Sequence, residues 1–385
     1  MRTVVTADRL WNGNAFLDRP VVTIEDASVV SIDTQDGLST LPVGELVALP
    51  GNTLAPAYFD VHTHGAAGHD VMEADREALD TIGSFLASKG VGSYLATTVT
   101  AQLDATLRSL EGLACAIAAP AAPGCTKPIG VHLEGPFLSH AKRGVHPPDL
   151  LLAPDIAVFD RLYEAAEGHV KLITIAPELA GAPELIRHAT ARGVRVSIGH
   201  SNATAAETRA ALAAGAVSAT HIFNAMRPLD HREPGILGVT LTDDAVYAEL
   251  ICDGIHVAPE MVQLWWKAKG QERAILVTDA MSAAGMPDGT YQLGGFAVEV
   301  AEGRAMANGV LAGSVLTLDR ALANFVRFTG TPSAEALPLL TTNPARMTGL
   351  EASAGSLSVG GAANLVAVDA AGQLRAAFVG GKRTA

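Results

Sequence analysis

The stretch DVHTHG at residues 60–65 places two histidines one residue apart, directly after the apolar segment 53–59. If that segment is a β-strand, His62 and His64 point to the same face, because side chains alternate with a period of two along a strand. Two imidazoles about 6.6 Å apart along the strand end can bind one metal ion. Two such histidines could equally be ordinary hydrogen-bonded polar residues, so the rest of the chain has to decide.

The region around and after DVHTHG alternates between strand-like and helix-like patterns, which is typical of a parallel sheet with helical connections. The helix-like patterns include 76–89 and 259–269. The strand candidates are 53–61, 93–98, 129–133, 170–175, 195–199, 216–220, 245–251 and 274–278. We therefore predict an α/β fold with a (β/α)8 barrel of the TIM type, whose active site lies at the carboxyl ends of the strands.

The two ends of the chain have a different pattern, with short β-branched segments between turn-prone Asn, Asp and Gly residues. We expect 1–52 and 346–385 to pair in one small β-sandwich domain, beside a catalytic barrel domain formed by 53–345. The chain of 385 residues is long enough for both, since such a barrel needs about 250 residues. After the eighth strand candidate, 289–312 predicts a β-hairpin-like insertion.

The composition excludes several classes of protein. A formal net charge of −13 argues against a nucleic-acid partner and means that an anionic substrate would need a local cationic pocket. No run of eighteen apolar residues predicts a membrane span. The three cysteines are widely spaced and the N-terminus does not resemble a signal peptide, so we expect a cytoplasmic protein.

Metal-compatible side chains fall where the strand patterns end. Glu134, His200 and His221 would supply the three nitrogen and carboxylate ligands of a catalytic zinc site with an open position for water. His62 and His64 would supply part of a second site, and Glu134 could bridge two ions about 3.5–4 Å apart. This ligand set predicts one or two divalent ions, with zinc first and iron, manganese or cobalt as alternatives.

Three further polar residues have competing interpretations. Asp279 ends the eighth strand pattern, where a carboxylate could serve as a general base beside a metal or as a helix N-cap, and we expect the general base because a metal site needs one nearby. His146 lies in a proline-rich loop after the third strand pattern and is either an oxyanion stabiliser or an ordinary loop residue. His132 shares one side of its strand with Glu134, and we expect it in the barrel interior rather than as a ligand.

Longer motifs resemble the N-acetylglucosamine-6-phosphate deacetylases of the amidohydrolase superfamily, over nearly the whole chain. HLEGPF, GHSNAT and DGIHV in this order are specific to that family, whereas DVHTHG is typical of the superfamily. The motifs are DVHTHG (60–65), GVHLEGPFLS (130–139), KRGVHPPD (142–149), GHSNAT (199–204), THIFNAM (220–226), REPGILG (232–238), CDGIHV (252–257) and VTDAMSAAG (277–285).

The resemblance implies a metal-dependent hydrolase that converts N-acetyl-D-glucosamine 6-phosphate to D-glucosamine 6-phosphate and acetate. Glu134, His200 and His221 would hold the catalytic metal, Asp279 would act as general base and then as acid, and His146 would polarise the acetyl carbonyl. The alternatives are an N-acetylgalactosamine 6-phosphate or other N-acyl substrate, or a non-catalytic scaffold on the same fold.

The resemblance also implies how the sugar phosphate is bound. Asn224 and Ala225 would contact the sugar phosphate region, and Arg232 and His256 would bind the phosphate. A homodimer is implied, with Arg232 acting either in its own subunit or in the neighbouring one.

Overall fold

A computed structural model describes residues 2–385, in which the middle of the chain forms a parallel barrel and the two ends form a separate sheet. In chain order, the strands are β1 (Arg2–Trp11), β2 (Phe16–Asp18), β3 (Pro20–Glu25), β4 (Ser28–Thr34), β5 (Glu45–Pro56), β6 (Tyr58–Thr63), β7 (Gly65–Ala66), β8 (His69–Asp70), β9 (Val91–Thr98), β10 (Pro128–Glu134), β11 (Val170–Ile175), β12 (Arg195–Ile198), β13 (Ala216–Ala219), β14 (Tyr247–Ile251), β15 (Ala274–Val277), β16 (Gly289–Leu293), β17 (Phe296–Ala301), β18 (Arg304–Ala307), β19 (Val310–Leu311), β20 (Leu365–Val368), β21 (Leu374–Val379) and β22 (Lys382–Arg383).

The α-helices lie mainly between the barrel strands. They are α1 (Arg76–Ser88), α2 (Leu103–Ala118), α3 (Ile156–Ala165), α4 (Ala182–Ala191), α5 (Ala205–Ala214), α6 (Gly235–Thr242), α7 (Pro259–Arg273), α8 (Leu318–Thr329), α9 (Ser333–Ala336) and α10 (Thr342–Thr348). Short 3-10 helices are Gln35–Gly37, Val71–Glu73, His140–Lys142, Pro148–Leu150 and Leu337–Leu340. Within residues 2–385, no helix combines the length and the apolar character that crossing a membrane requires.

The barrel consists of parallel strands in the order β6-β9-β10-β11-β12-β13-β14-β15. The circle closes between its first and last strands, where the backbone N–H of Asp279 donates to the carbonyl of His62 at 2.8 Å and Thr63 forms a bridge with Ala280. The barrel strands are buried along nearly all of their length, as expected for strands covered by helices on the outside. The predicted (β/α)8 barrel is confirmed.

Helix α8 shows how the sequence covers the barrel. Its buried residues Leu318, Ala321, Leu322 and Phe325 follow the spacing that places side chains on one face of a helix. That apolar stripe packs into the main core together with the barrel strands. The opposite face carries Arg320 and Arg327, so the hydrophobic pattern alone decides which side of the helix faces the barrel.

The predicted first barrel strand, 53–61, was wrong in its extent, because it joins two strands of different sheets. Residues 53–56 belong to β5, which pairs with β1 and β20 in the terminal sheet, and the barrel strand β6 starts at Tyr58. Leu54 packs into the core of the terminal sheet, whereas Phe59 and Val61 pack into the barrel. The segment is apolar throughout, so its pattern does not reveal where one sheet ends and the next begins.

Both chain ends contribute to the terminal sheet, whose strand order is β22-β21-β20-β5-β1-β3-β4, with β2 paired to β1. Its inner side chains form a hydrophobic core of their own, with Val5, Leu10 and Val22 from the N-terminal part and Leu365 and Phe378 from the C-terminal part. The expected pairing of the two ends is therefore confirmed. The hydrogen bonds join all of these strands in one sheet.

The insertion after β15 is an antiparallel meander of β16, β17, β18 and β19, which lies within the predicted segment 289–312 but has four strands instead of the two of a hairpin. It has a small core in which Leu293 and Val298 pack with Val99 and Met281 from the barrel loops. The insertion thus lies on the carboxyl side of the barrel, where the predicted site residues are found.

Candidate active site

Six buried side chains bring nitrogen and oxygen ligand atoms together at the carboxyl ends of the barrel strands. They form two groups, and within each group the ligand atoms lie within 4.8 Å of one another. The first group is His62, His64 and Asp279, and the second is Glu134, His200 and His221. The sequence had proposed all six for a metal centre or its general base, and the fold brings them to one place.

Three of these residues occupy the same position relative to their strand. His200, His221 and Asp279 each lie two residues beyond the end of β12, β13 and β15. Their φ angles are 47°, 29° and 50°, in the left-handed region that side-chain-bearing residues rarely adopt. Such backbone conformations cost about 1–3 kcal/mol each and persist where the surrounding structure enforces them, often at functional sites. The sharp turn at each strand end directs these side chains to the barrel axis.

The Glu134 carboxylate, at the end of β10, lies between the two groups. Its Oε1 atom is 3.0 Å from Nε2 of His221 and 3.2 Å from Nε2 of His200. Its Oε2 atom is 3.2 Å from Nε2 of His64 in the other group. This position is the one that a carboxylate bridging two ions would occupy.

Backbone carbonyls orient two of the histidines. Nδ1 of His64 lies 3.0 Å from the carbonyl of Thr97, and Nδ1 of His200 lies 3.0 Å from the carbonyl of Lys142. Because a carbonyl only accepts hydrogen bonds, each Nδ1 carries a proton, which leaves each Nε2 as the atom that can bind a metal ion once its own proton is displaced. The donor set therefore consists of histidine Nε2 atoms and carboxylate oxygens, which suits zinc, iron, manganese or cobalt.

The electrostatics of the cluster also fit a bound cation. Burial opposes the charged form of His64, but the Asp279 and Glu134 carboxylates outweigh it and raise the pKa of His64 to about 9. Burial likewise opposes ionisation of Glu134, yet the charge of His62 and hydrogen bonds from His146, His200 and His221 hold its pKa well below the usual value. Ionised carboxylates buried this deeply need positive charge beside them, which a divalent ion supplies when it displaces the protons.

A cavity of about 320 Å³ opens onto this cluster. His146 lines it, with Nε2 3.5 Å from Oε2 of Glu134. Five of the six cluster residues line the cavity, all except His62. The rest of its lining includes Val99, Ala141, Lys142, Gly144, Val145, Asn224, Ala225, His256, Leu293, Val310, Leu311 and Gly313. The meander thus supplies apolar side chains to one wall of the cavity.

His256, which lines this cavity, is held by a carboxylate. Its Nδ1 lies 2.6 Å from Oδ2 of Asp253, and the backbone N–H of His256 donates to the other oxygen at 2.8 Å. Burial favours the neutral ring, but the hydrogen bond to Asp253 and its charge outweigh this and raise the pKa of His256. Asp253 thus favours the charged form of the His256 ring, to which an anionic part of a ligand could bind.

Of the predicted substrate-binding residues, Asn224, Ala225 and His256 line the cavity and Arg232 does not. Arg232 is exposed in the loop before α6, where its backbone N–H donates to Asp230 at 2.8 Å. His132 is fully buried in the barrel interior, as expected, and its Nε2 lies 2.8 Å from the Thr174 hydroxyl.

Sequence reasoning missed two side chains that contact residues of the site. Thr100 bonds to Nδ1 of His146, and Glu249 in β14 lies with Oε2 3.5 Å from Nδ1 of His62. Thr100 carries no sequence signal. Glu249 carries one, because it is a lone carboxylate in the otherwise strand-like run YAELI (247–251).

A sequence model described as the amidohydrolase family matches residues 53–385, which includes all of the site residues above. The chain belongs to the amidohydrolase family. Enzymes of this family are metal-dependent, which agrees with the two groups of ligand atoms at the barrel mouth. This protein is an amidohydrolase enzyme with the TIM-type barrel of its family.

Two curated relatives are similar to this chain over nearly its whole length. An N-acetylgalactosamine-6-phosphate deacetylase of Escherichia coli is 41% identical over 96% of this chain and 96% of its own length. An N-acetylglucosamine-6-phosphate deacetylase of Vibrio furnissii is 34% identical over 98% of this chain and 93% of its own.

Solved structures of deacetylases are also similar to this chain over its whole length. A mutant N-acetyl-D-glucosamine-6-phosphate deacetylase of Mycobacterium smegmatis, in complex with N-acetyl-D-glucosamine-6-phosphate, is 35% identical and superposes with a TM-score of 0.91 over 100% of this chain and 99% of its own. The corresponding enzyme of Thermotoga maritima is 31% identical, with a TM-score of 0.85 over 100% of this chain and 99% of its own.

Proposed function

We propose that this protein hydrolyses the acetamide of N-acetyl-D-glucosamine 6-phosphate to D-glucosamine 6-phosphate and acetate. The observation that carries the proposal is one cavity with two kinds of site on its wall. Glu134, Asp279 and three of the cluster histidines line it, and so does His256, whose charged form Asp253 favours and which would bind a phosphate. The relatives and the solved complex named above support the same substrate class.

The chain offers ligands for two ions. Glu134, His200 and His221 would hold the first ion, and His62 and His64 would hold the second with Glu134 shared between them. When bound, such ions lower the pKa of water and polarise the acetamide carbonyl. We propose zinc as the metal, because the nitrogen-rich ligand set suits it.

Asp279 is the residue that we propose moves the proton. Its Oδ1 atom is 3.1 Å from Nε2 of His64, at the floor of the cavity. Its pKa is lowered although burial opposes this, since the charge of His62 and a hydrogen bond from His64 hold the carboxylate ionised. As the water oxygen bonds to the carbonyl carbon, Asp279 accepts the water proton and then gives it to the amine nitrogen when the C–N bond breaks.

His146 is proposed to stabilise the carbonyl oxygen as negative charge develops on it. Its Nδ1 accepts a hydrogen bond from the backbone N–H of Thr100, so the proton lies on Nε2 at the cavity side. A donor fixed in place before the reaction stabilises the transition state more than the ground state. A buried neutral ring suits this task, because it donates without adding charge.

The phosphate is proposed to bind His256 and Arg232, with Asn224 and Ala225 against the sugar phosphate. Arg232 is exposed and outside the cavity of its own subunit, which supports a homodimer in which each subunit lends this arginine to its partner. A guanidinium binds two phosphate oxygens at once and would offset the repulsion expected from a net charge of −13. We also propose a cytoplasmic location, supported by three cysteines that are all free.

A second candidate substrate is N-acetyl-D-galactosamine 6-phosphate, the C4 epimer. It is favoured by the 41% identity to a deacetylase of that sugar, against 34–38% for curated relatives whose names give the glucosamine substrate. Acetate release from the two epimers, measured side by side with zinc-loaded protein, tests the proposal. We expect a higher kcat/KM for the glucosamine epimer, and a preference for the other sugar would reassign the substrate while leaving the chemistry unchanged.

A further inference from the structure

Glu249 is a fully buried carboxylate in the wall of the barrel, on strand β14 beneath the proposed metal centre. Within residues 2–385, neither of its carboxylate oxygens has a hydrogen-bond partner. The group that faces it is Nδ1 of His62, 3.5 Å from Oε2, and both side chains are completely inaccessible to solvent.

A carboxylate in such a place is costly unless a cation or a strong donor is beside it. Ile251, two residues along β14 and therefore on the same face as Glu249, is apolar and fully buried. An apolar residue at position 249 would likewise complete this wall of the barrel without that cost. The contact with His62 therefore explains why an acidic residue occupies this position.

The two nitrogens of His62 face different surroundings. Nε2 points into the cluster, 3.3 Å from Nε2 of His64 and 3.4 Å from Oδ1 of Asp279. Nδ1 points away from the cluster to Glu249. Nδ1 of His64 and of His200 bonds to a backbone carbonyl, and within residues 2–385 Nδ1 of His221 has no hydrogen-bond partner. Among the described residues, His62 is therefore the cluster histidine whose second nitrogen faces an anion.

We propose that Glu249 is a positioning residue that accepts the Nδ1–H of His62, keeps the Nε2 lone pair directed at the cluster and thereby sets the affinity of the second metal position. A carboxylate behind a ligand histidine fixes its tautomer and ring orientation and makes the ligand nitrogen more basic. The inference rests on the two-ion centre proposed above. It identifies Glu249 as a residue that controls how tightly the second metal position binds its ion.

Metal titration of the Glu249→Gln variant tests the proposal without any substrate. Glutamine keeps the volume of the side chain and removes its charge. We expect the wild-type protein to bind two Zn²⁺ ions, and the variant to lose about 10- to 100-fold in affinity for one of them only. A His64→Asn variant, which removes a ligand of the second position, provides the reference for that loss, and adding Glu249→Gln to it should leave the remaining ion nearly unchanged.

Ser218→Ala is the matched control, since Ser218 is also a buried polar residue of the barrel wall without a partner in residues 2–385 and does not contact His62. It should bind both ions like the wild type. Two ions bound by Glu249→Gln with wild-type affinity, equal weakening of both ions, or a wild-type protein that binds a single ion would each contradict the proposal. Failure of the proposed reaction is seen separately, as absent acetate release from a protein that binds two ions.

Discussion

The backbone N–H of Thr100 donates a hydrogen bond to Nδ1 of His146 at 3.3 Å, and the Thr100 hydroxyl lies 2.8 Å from the same nitrogen. Because a backbone N–H only donates, Nδ1 accepts and the ring proton lies on Nε2, next to the Glu134 carboxylate. Burial outweighs the effect of Glu134 and lowers the pKa of His146 to about 4, so the ring is neutral near pH 7. His146 is thereby prepared as a neutral donor.

Replacing His146 by alanine should lower kcat by about 10²- to 10³-fold, the loss typical of an oxyanion donor. KM should change little, because the donor acts mainly in the transition state. Steady-state kinetics on the zinc-loaded variant measure both constants. His140→Ala is the control, since His140 lies in the same loop but is exposed and outside the cavity lining. A kcat for His146→Ala within a few-fold of the wild type would remove this role.

Replacing Asp279 by alanine should lower kcat by about 10²- to 10⁴-fold, the range associated with a general acid–base group. The protein should still bind metal, because Glu134, His200 and His221 form a complete ligand group without Asp279. Metal analysis and turnover are measured on the same preparation. A variant that keeps substantial activity with metal bound would show that another group carries the proton.

The effect of pH on KM should depend on Asp253. Asp253 raises the pKa of His256 against the effect of burial. The ring therefore keeps its charge to a pH higher than the ordinary histidine pKa of about 6.5, and loses it as the pH rises further. KM for the phosphorylated substrate should therefore increase at alkaline pH. In Asp253→Asn the increase should begin at lower pH, since the pKa of His256 falls. KM is measured for both proteins between about pH 6 and 9. Identical pH profiles for the wild type and Asp253→Asn would show that His256 does not bind the phosphate.

Mixed dimers should show which subunit uses Arg232. Arg232→Ala alone should raise KM for the phosphorylated sugar by about tenfold or more, because a charge-assisted bond to phosphate is lost. If the arginine acts in the neighbouring subunit, a dimer of one Arg232→Ala chain and one Glu134→Ala chain should recover wild-type KM. The first chain then keeps its metal ligands and borrows the arginine of the second.

The same experiment has a clear opposite outcome. If Arg232 acts within its own subunit, the mixed dimer keeps the high KM of the Arg232→Ala protein. Co-expression with two different affinity tags separates the mixed dimer from the two homodimers, which serve as controls in one assay.

The sequence predicted the barrel and the site residues that lie at the carboxyl ends of its strands. The barrel followed from the alternation of patterns, and Glu134, His200, His221 and Asp279 followed because the carboxyl ends of parallel strands meet at one mouth. The resemblance to a family added His256 and its neighbours. The division into domains at residues 52 and 346 stays a prediction.

Other parts could not be predicted because they depend on contacts between distant segments. Thr100 and His146 are in contact although 46 residues separate them in the sequence, and Glu249 contacts His62 across an even longer stretch of chain. No local pattern encodes either contact. The boundary between β5 and β6 was missed for a different reason, since an apolar strand looks the same in either sheet.

Acetate release is the measurement that tests the central claim most directly. Zinc-loaded protein is incubated with N-acetyl-D-glucosamine 6-phosphate and, separately, with N-acetyl-D-glucosamine, and free acetate and free amine are quantified in both. The account predicts equal amounts of acetate and amine from the phosphorylated sugar and far slower release from the other. No acetate from either sugar, with two zinc ions bound, would contradict the account.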